Sequence, residues 1–591
     1  MKKSIDAIVH AVLLVSIMLA AGCAGALPSN TTSATVLPTT AGTATPTPFQ
    51  PLVQVRADIP ASTTADSDVV QNPAQTTVAE TTAPTATPRL TLWVDPLLPT
   101  ALRSTVNIPP EFALMQDEAQ SQQASLRLEV DDQNPVSHWI YALVAPFPTK
   151  TQGVSLKDLR QAWQGTKAGP FAGRPLLMNE STLVVFTRLW QAPAAEAVNV
   201  LPTDQLLDVA WKQRPSWAIV PFEALEPRWK VLEVDGISPL RKGFEAASYP
   251  LTVPVSVTGD TSLAQAFRSL YGEGSASPLL PASNRDPNRL TVLGMTGVTA
   301  LVRATAYTME QRGITYPGKD VRDWLRDADI THISNEVPFA QGCPFPNPVQ
   351  EGMRFCSDPR YIGLLEDVGT DIVELTGDHF QDWGNEAMYY TLDLYRQHGW
   401  KYYGGGANLK EARQAVTIEH NGNRLAFLGC NAKEGAFAQA APKHPGAVKC
   451  SDAQMPAEIS RLREAGYLPI ATFQHFEYYT YQAQPNQKRD FRKMADAGAV
   501  IVSGSQAHQP QALEFENGAL IHYGLGNLFF DQYDVSNATR QGFIDRHIFY
   551  DGRYIGTELL EIQFVDYARP RPMTSAERDD LLNSVFKASG W

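Results

Sequence analysis

Asp371-Ile372-Val373-Glu374-Leu375-Thr376-Gly377-Asp378-His379 decides how the chain is read. Five mostly apolar residues run together and stop at Thr376-Gly377. Two groups able to bind metal or move a proton follow at once. A short apolar run closed by turn residues is the signature of a buried strand. The pattern recurs on both sides. Leu290-Thr291-Val292-Leu293 stops at Gly294, and Ile330-Thr331-His332-Ile333 stops at Ser334-Asn335-Glu336. Pro469-Ile470-Ala471-Thr472-Phe473 stops at Gln474-His475, and Ala499-Val500-Ile501-Val502 stops at Ser503-Gly504-Ser505-Gln506-Ala507-His508. Helical spacing lies between, over 385–398 and 486–497, and 415–428 reads as a hairpin turning at Asn421-Gly422. Strands alternating with helices predict a layered α/β domain over 286–570.

Asn335, Glu336, Asp378, His379, His475 and His508 all follow the carboxyl end of a predicted strand. That edge is where α/β sheets bind ligands. Imidazoles and carboxylates brought together from several rigid strand ends are what a metal ion needs. The remaining histidines of this region, His332, His398, His420, His444, His522 and His547, read as solvated or hydrogen-bonded surface groups.

This region is similar to the bacterial capsule-synthesis CapA family, linked to poly-γ-glutamate synthesis and export. The resemblance rests on Gly294-Met295-Thr296, Ser334-Asn335-Glu336, and Gly377-Asp378-His379 with Asp382 and Gly384. It continues through the glycine-rich run at 404–408, His475-Phe476-Glu477-Tyr478, Gly504-Ser505-Gln506-Ala507-His508 and Tyr523-Gly524-Leu525-Gly526-Asn527-Leu528-Phe529. It implies a calcineurin-like metallophosphatase fold, an α/β/β/α sandwich. It also implies one divalent ion (manganese, iron or zinc) held by Asp378, His475, His508 and Glu336. His379 and Asp378 would be the catalytic pair, with Asn335, Asp382, Glu477 and Asn527 around them. Two departures stand out. Met295 occupies the place of a family aspartate, and Ser505 that of a family histidine. A neutral thioether cannot replace a bridging carboxylate for hard ions. The expectation is a partly degenerate site, with enzymatic activity left open.

Three functions compete. The first is a role in synthesis, export or anchoring of an anionic surface polymer such as poly-γ-glutamate, with the polymer or its membrane synthase as partner. The second is a metal-dependent phosphoesterase or amidase of the envelope. The third is an oxyanion-binding sensor. The third arises from 89–285, where "VSLKDLRQAWQG", "WAIVPFEAL", "VLEVDGISPL" and "YPLTVPVSV" occur in the order seen in phosphate-type periplasmic solute-binding proteins. That resemblance implies a small periplasmic-binding-protein-like α/β domain. A Ser155 N-cap opens its first clear helix.

The flanking segments speak to location. Lys2 and Lys3 precede an apolar run from Ala7 to Ala21, then Leu19-Ala20-Ala21-Gly22-Cys23. Small residues before a cysteine resemble a lipobox, so 1–23 reads as a lipoprotein signal with Cys23 as the lipidated residue; a plain secretory signal is the alternative. Residues 24–88 are rich in Thr, Pro and Ala and read as an unfolded tether. Residues 571–591 read as a tail. The expectation is an extracytoplasmic protein anchored by lipid to the cell membrane. Outside the membrane Cys343, Cys356, Cys430 and Cys450 can form two disulfides, 343–356 and 430–450 giving the shortest loops; a four-cysteine zinc site is the rival. A net charge of −13 argues against nucleic acid as a partner.

Overall fold

Two sheets packed face to face place the site. The first runs in the order Lys401–Tyr403, Ile372–Glu374, Ile330–Asn335, Leu290–Thr296, Gln541–Tyr550, Arg553–Phe564 and Pro570–Pro572. Its first four strands are parallel and the rest antiparallel. The second runs Val416–His420, Asn423–Asn431, Leu468–Gln474, Ile501–Ser503, Ala519–His522 and Leu513–Glu516. The computed structural model describes residues 90–591, apart from 168, 273, 434–437 and 451–453. The expected leader 1–23 with Cys23 and the 24–88 tether lie outside the described residues.

Side-chain alternation along each strand builds the layers. Ile330 and Ile372 face the second sheet, in a core shared with Phe427, Ile470, Ile501 and Leu520. Their neighbours Ile333 and Val373 face outward onto helices, packing with Met309, Leu364, Met388 and Leu392. In the second sheet Ala426, Ala471, Val502 and Ile521 face the opposite way, onto Ile459, Leu462, Phe491 and Met494 of Gln454–Glu464 and Pro485–Asp496. The result is helix, sheet, sheet, helix, the α/β/β/α sandwich the resemblance implied. Each fully buried aliphatic side chain in these layers stabilises by about 1.5–3 kcal/mol. The hairpin turns at Asn421 and Gly422, both in left-handed backbone conformation (φ 47° and 76°), which is what a two-residue hairpin turn requires.

The preceding region has its own mixed sheet, ordered Phe112–Met115, Leu90–Val94, Leu126–Val130, Thr252–Gly259, Ser137–Pro146, Trp217–Pro221, Leu176–Met178 and Val198–Val200. Ser155 caps Leu156–Trp163 by accepting from the Asp158 N–H. The two regions are not separate beads. Leu290, Val292, Ile548 and Ile555 of the later region belong to the same buried cluster as Leu143, Trp217 and Leu232. Arg241 and Glu558 pair across the junction at 2.6 Å.

The segment read as a tail is part of the fold. Ser575–Ala588 is a helix closed at its start by a reciprocal cap between Thr574 and Glu577. Leu581, Leu582, Val585 and Phe586 plug the inter-sheet core, and Trp591 stacks on Phe515. Among the described residues no helix is long and apolar enough to cross a membrane.

Candidate metal centre

Four strand ends converge. Glu336 follows Ile330–Asn335, Asp378 and His379 follow Ile372–Glu374, Glu477 follows Leu468–Gln474, and His508 follows Ile501–Ser503. Backbones approach closely to achieve this. A Cβ on Gly377 would lie 2.8 Å from the Glu336 Cα, so only glycine lets the two loops touch there. Ligand atoms of Glu336, Glu477 and His508 come within 4.8 Å of one another, as do those of Glu336, Asp378 and His379. Glu336 is common to both groups.

The donor chemistry fits a cation. Glu336 is 1% exposed and its Oε1 is buried without a hydrogen-bond partner. Burial pushes its carboxyl up, Asp378 and Glu477 push the same way, and His508 and His379 oppose them. Both imidazoles are oriented from behind. Asn527 Nδ2 donates to the carbonyl oxygens of His508 and Thr539, which leaves its Oδ1 to accept from His508 Nδ1 at 3.0 Å. His379 Nδ1 donates to Asp382 Oδ2 at 2.7 Å. With the proton on Nδ1, the neutral His508 ring presents an Nε2 lone pair, the tautomer a metal ligand needs. His508 is held above the ordinary imidazole range: burial lowers it, and Glu477 and Glu336 outweigh that. His379 is pushed up to about 9, its burial overcome by the Asp382 hydrogen bond and by Glu336 and Asp378.

A lysine not singled out by the sequence reading completes the cluster. Lys433 Nζ meets Asp378 Oδ2 and Glu477 Oε1, each at 2.6 Å. Gln474 grips Asp378 twice, accepting from its N–H and donating to its Oδ1, both at 2.8 Å. Burial alone would raise Glu477, yet His508 and Lys433 hold it far below the usual carboxylate range. Lys433 follows the carboxyl end of Asn423–Asn431, so the strand-end rule reaches it as well.

Several expected residues sit elsewhere. His475 joins neither group. Its Nε2 pairs with Asp490 at 3.1 Å, its ring packs against Phe476, Tyr478 and Phe491, and burial lowers its pKa. The ligand place expected for it is filled by Glu477, two residues on. Met295 is fully buried in the inter-sheet core. Ser505 donates to Glu374, which also accepts from Thr376 and lies 3.4 Å from His332. Glu374 therefore belongs to an interior network and not to the cluster. Asn335 is fully buried and donates to Val337 O and the Tyr395 hydroxyl, both at 2.7 Å, bracing the loop that carries Glu336.

The surface reading of three histidines is corrected. His332, His522 and His547 are at most 1% exposed. Each has an interior partner: Tyr403 for His332, Asp545 for His522, and Thr557 with Tyr554 for His547. His398, His420 and His444 remain half-buried and stacked or hydrogen-bonded.

The cysteines are bonded as Cys343–Cys356 and Cys430–Cys450, with Cα separations of 5.9 and 5.0 Å. Sulfurs so joined cannot serve as a four-thiolate zinc site. The first bridge ends beside Phe355, whose N–H donates to Asp382 Oδ2 and whose ring packs on His379 at 4.9 Å.

Residues 255–532 match the family described as bacterial capsule synthesis protein PGA_cap. That stretch is 278 residues of the 591, a little under half of the chain. The capsule biosynthesis protein CapA of Bacillus anthracis is 23% identical over 303 residues, covering 50% of this chain and 72% of that protein. Among solved structures, a phosphatase from Mycoplasma pneumoniae overlaps 46% of this chain and 94% of its own, at 10% identity and a TM-score of 0.29. A phosphate transport receptor from Vibrio cholerae overlaps 30% of this chain and 92% of its own, at 12% identity and a TM-score of 0.24.

Proposed function

We propose that this protein serves the synthesis, export or anchoring of an anionic surface polymer such as poly-γ-glutamate, and that it does so as a lipid-anchored envelope protein. The match of 255–532 to the capsule synthesis family supports the polymer role. The Leu19–Cys23 pattern and the Thr/Pro-rich stretch after it support the anchor. Loss of surface polymer on deletion, restored by the full chain and not by a Cys23→Ser variant, is the expected result. Fatty-acid labelling of the wild type alone checks the anchor. Normal polymer in the deletion strain overturns the role.

The site reading rests on one observation: the unpartnered, buried Glu336 Oε1 at the meeting point of His508, Glu477, Asp378 and His379. Glu336, Glu477 and His508 would hold one divalent ion, manganese, iron or zinc. Asp378 is less available, because both its oxygens are engaged by Gln474 and Lys433. A bound divalent ion makes an attached water acidic enough to ionise near neutral pH. His379 keeps a proton on Nε2 at neutral pH, since its pKa is pushed up to about 9, and Asp382 fixes the direction in which that proton is offered. Lys433 and Gln474 hold Asp378 still. This arrangement favours hydrolysis of a phosphoester or amide as the second reading.

Elemental analysis of the purified, tag-free chain after desalting tests the site. About one equivalent of metal, lost in Glu336→Gln, is expected. No metal in either protein after reconstitution overturns it.

A further inference from the structure

The cluster already contains a cation. Lys433 reaches one carboxylate from each candidate ligand group, Asp378 from one and Glu477 from the other. Its side chain is 24% exposed, so the ammonium is largely withdrawn from water into the acidic pocket. Charge closes neatly around it. Glu336, Asp378 and Glu477 carry three negative charges; one divalent ion and one ammonium supply three positive ones. Asp382 is outside this count, since it faces His379 and the Phe355 N–H. A second divalent ion between Asp378 and His379 would share the Asp378 oxygen that Lys433 touches at 2.6 Å, placing two cations against one another in a half-buried pocket. Their repulsion there is far less screened than in water. Asp378 has no idle oxygen to offer, because Gln474 holds the other.

We propose that Lys433 is a built-in substitute for a second metal ion, so that the site takes one divalent ion on Glu336, Glu477 and His508 and keeps its other half closed with an ammonium. This rests on the single-ion reading above. The substitution has a chemical consequence. The Lys433 ammonium is a fixed positive charge beside the ion, with three rotatable donors. It can offer a hydrogen bond to an anionic group brought to the site without adding a second metal-bound water.

Manganese titration of the full chain tests this, with stoichiometry read by calorimetry and the ion environment by electron spin resonance. Wild type is expected to bind one manganese per chain with an uncoupled signal. Lys433→Met keeps length and removes charge; it is expected to bind a second manganese and to give the signal of a coupled pair. Lys433→Arg is expected to stay at one. Thermal unfolding of each metal-free variant shows that it is folded, as expected for a partly exposed position. A Lys433→Met protein that binds one manganese with wild-type affinity overturns the substitution while leaving the single-ion reading standing. Two ions in the wild type also overturn it. No ion in any protein removes both readings together.

Discussion

Two sets of histidines and carboxylates occur in this molecule, and they behave differently. The interior set, His332, His522, His547, Asp545 and Glu374, is buried between the sheets. The strand-end set is Glu336, Asp378, His379, Glu477 and His508. The residue types are the same. Interior members close on local partners: His522 on Asp545 at 2.6 Å, His332 on Tyr403 at 2.9 Å with Glu374 at 3.4 Å, His547 on Thr557 at 2.8 Å. Among the described residues they form no group whose ligand atoms converge. At the strand ends, each imidazole spends one nitrogen on an orienting acceptor and turns the other toward a shared carboxylate. Convergence, and not composition or burial, separates a candidate metal site from a structural polar network.

The sharpest way to break that distinction is to remove one partner of an interior pair. Asp545→Ala leaves His522 facing an empty place in the core. Removing one member of a buried pair costs about 3–5 kcal/mol. Chemical denaturation should show a loss of that size, while manganese stoichiometry at the strand ends stays unchanged. A change in metal binding without a loss of stability would mean the two sets are one site.

Acid should separate the sets next. Burial holds His547 at about 4, with His522 and His332 pushing down and Asp545 up. An unfolded histidine titrates near 6.5. Between these values the unfolded chain binds the extra proton, so stability falls as pH drops from about 6.5 through 4 and changes no further below. The full effect is about 3 kcal/mol. Denaturation midpoints of wild type and His547→Gln across that range check it. The wild type should lose stability more steeply. Parallel curves would show that His547 is not the group responsible.

At the strand ends, Glu336→Gln removes the shared carboxylate and keeps its shape. Manganese affinity should fall at least about a hundredfold, or about 2.7 kcal/mol. Stability of the metal-free protein should hold or rise, because a costly buried carboxylate is gone. A large destabilisation with affinity intact would place Glu336 with the structural set.

Much of this comparison was legible in the sequence, and the part that was not has a physical cause. Apolar runs located the strands to within about two residues of their ends, since Leu290–Thr296 runs past Gly294 and Ile330–Asn335 includes Ser334, and so Glu336, His379 and His508 could be placed at one sheet edge. Rotamer and partner choice could not be read. His475 sits at a strand end like the others, yet Asp490, on the next helix, takes its Nε2 and Glu477 enters in its place. Lys433 lies just past the 415–428 hairpin, in a stretch to which the sequence reading gave no element. The interior histidines looked like surface groups because their partners are distant along the chain: Asp545 lies 23 residues from His522, and Tyr403 lies 71 from His332. The closing helix was the avoidable miss, since Thr574-x-x-Glu577 is a cap signal visible in sequence.

The finest test concerns a residue that would touch no ion. Asn527 accepts from His508 Nδ1 and is locked by its own donations to His508 O and Thr539 O. If orientation from behind is what distinguishes the strand-end imidazoles, Asn527→Ala should let the His508 ring turn and its tautomer relax. Loss of such an orienting partner typically weakens metal binding by about 10- to 100-fold, and the lower figure is expected here because the Phe530 ring still packs on His508 at 5.2 Å. Asn527→Asp, which keeps an acceptor on Nδ1, should recover most of the affinity. Manganese titration of the three proteins reads this directly. Equal affinity in all three would mean that packing alone orients His508, and the contrast with the interior histidines would then rest on convergence without preorganised tautomers.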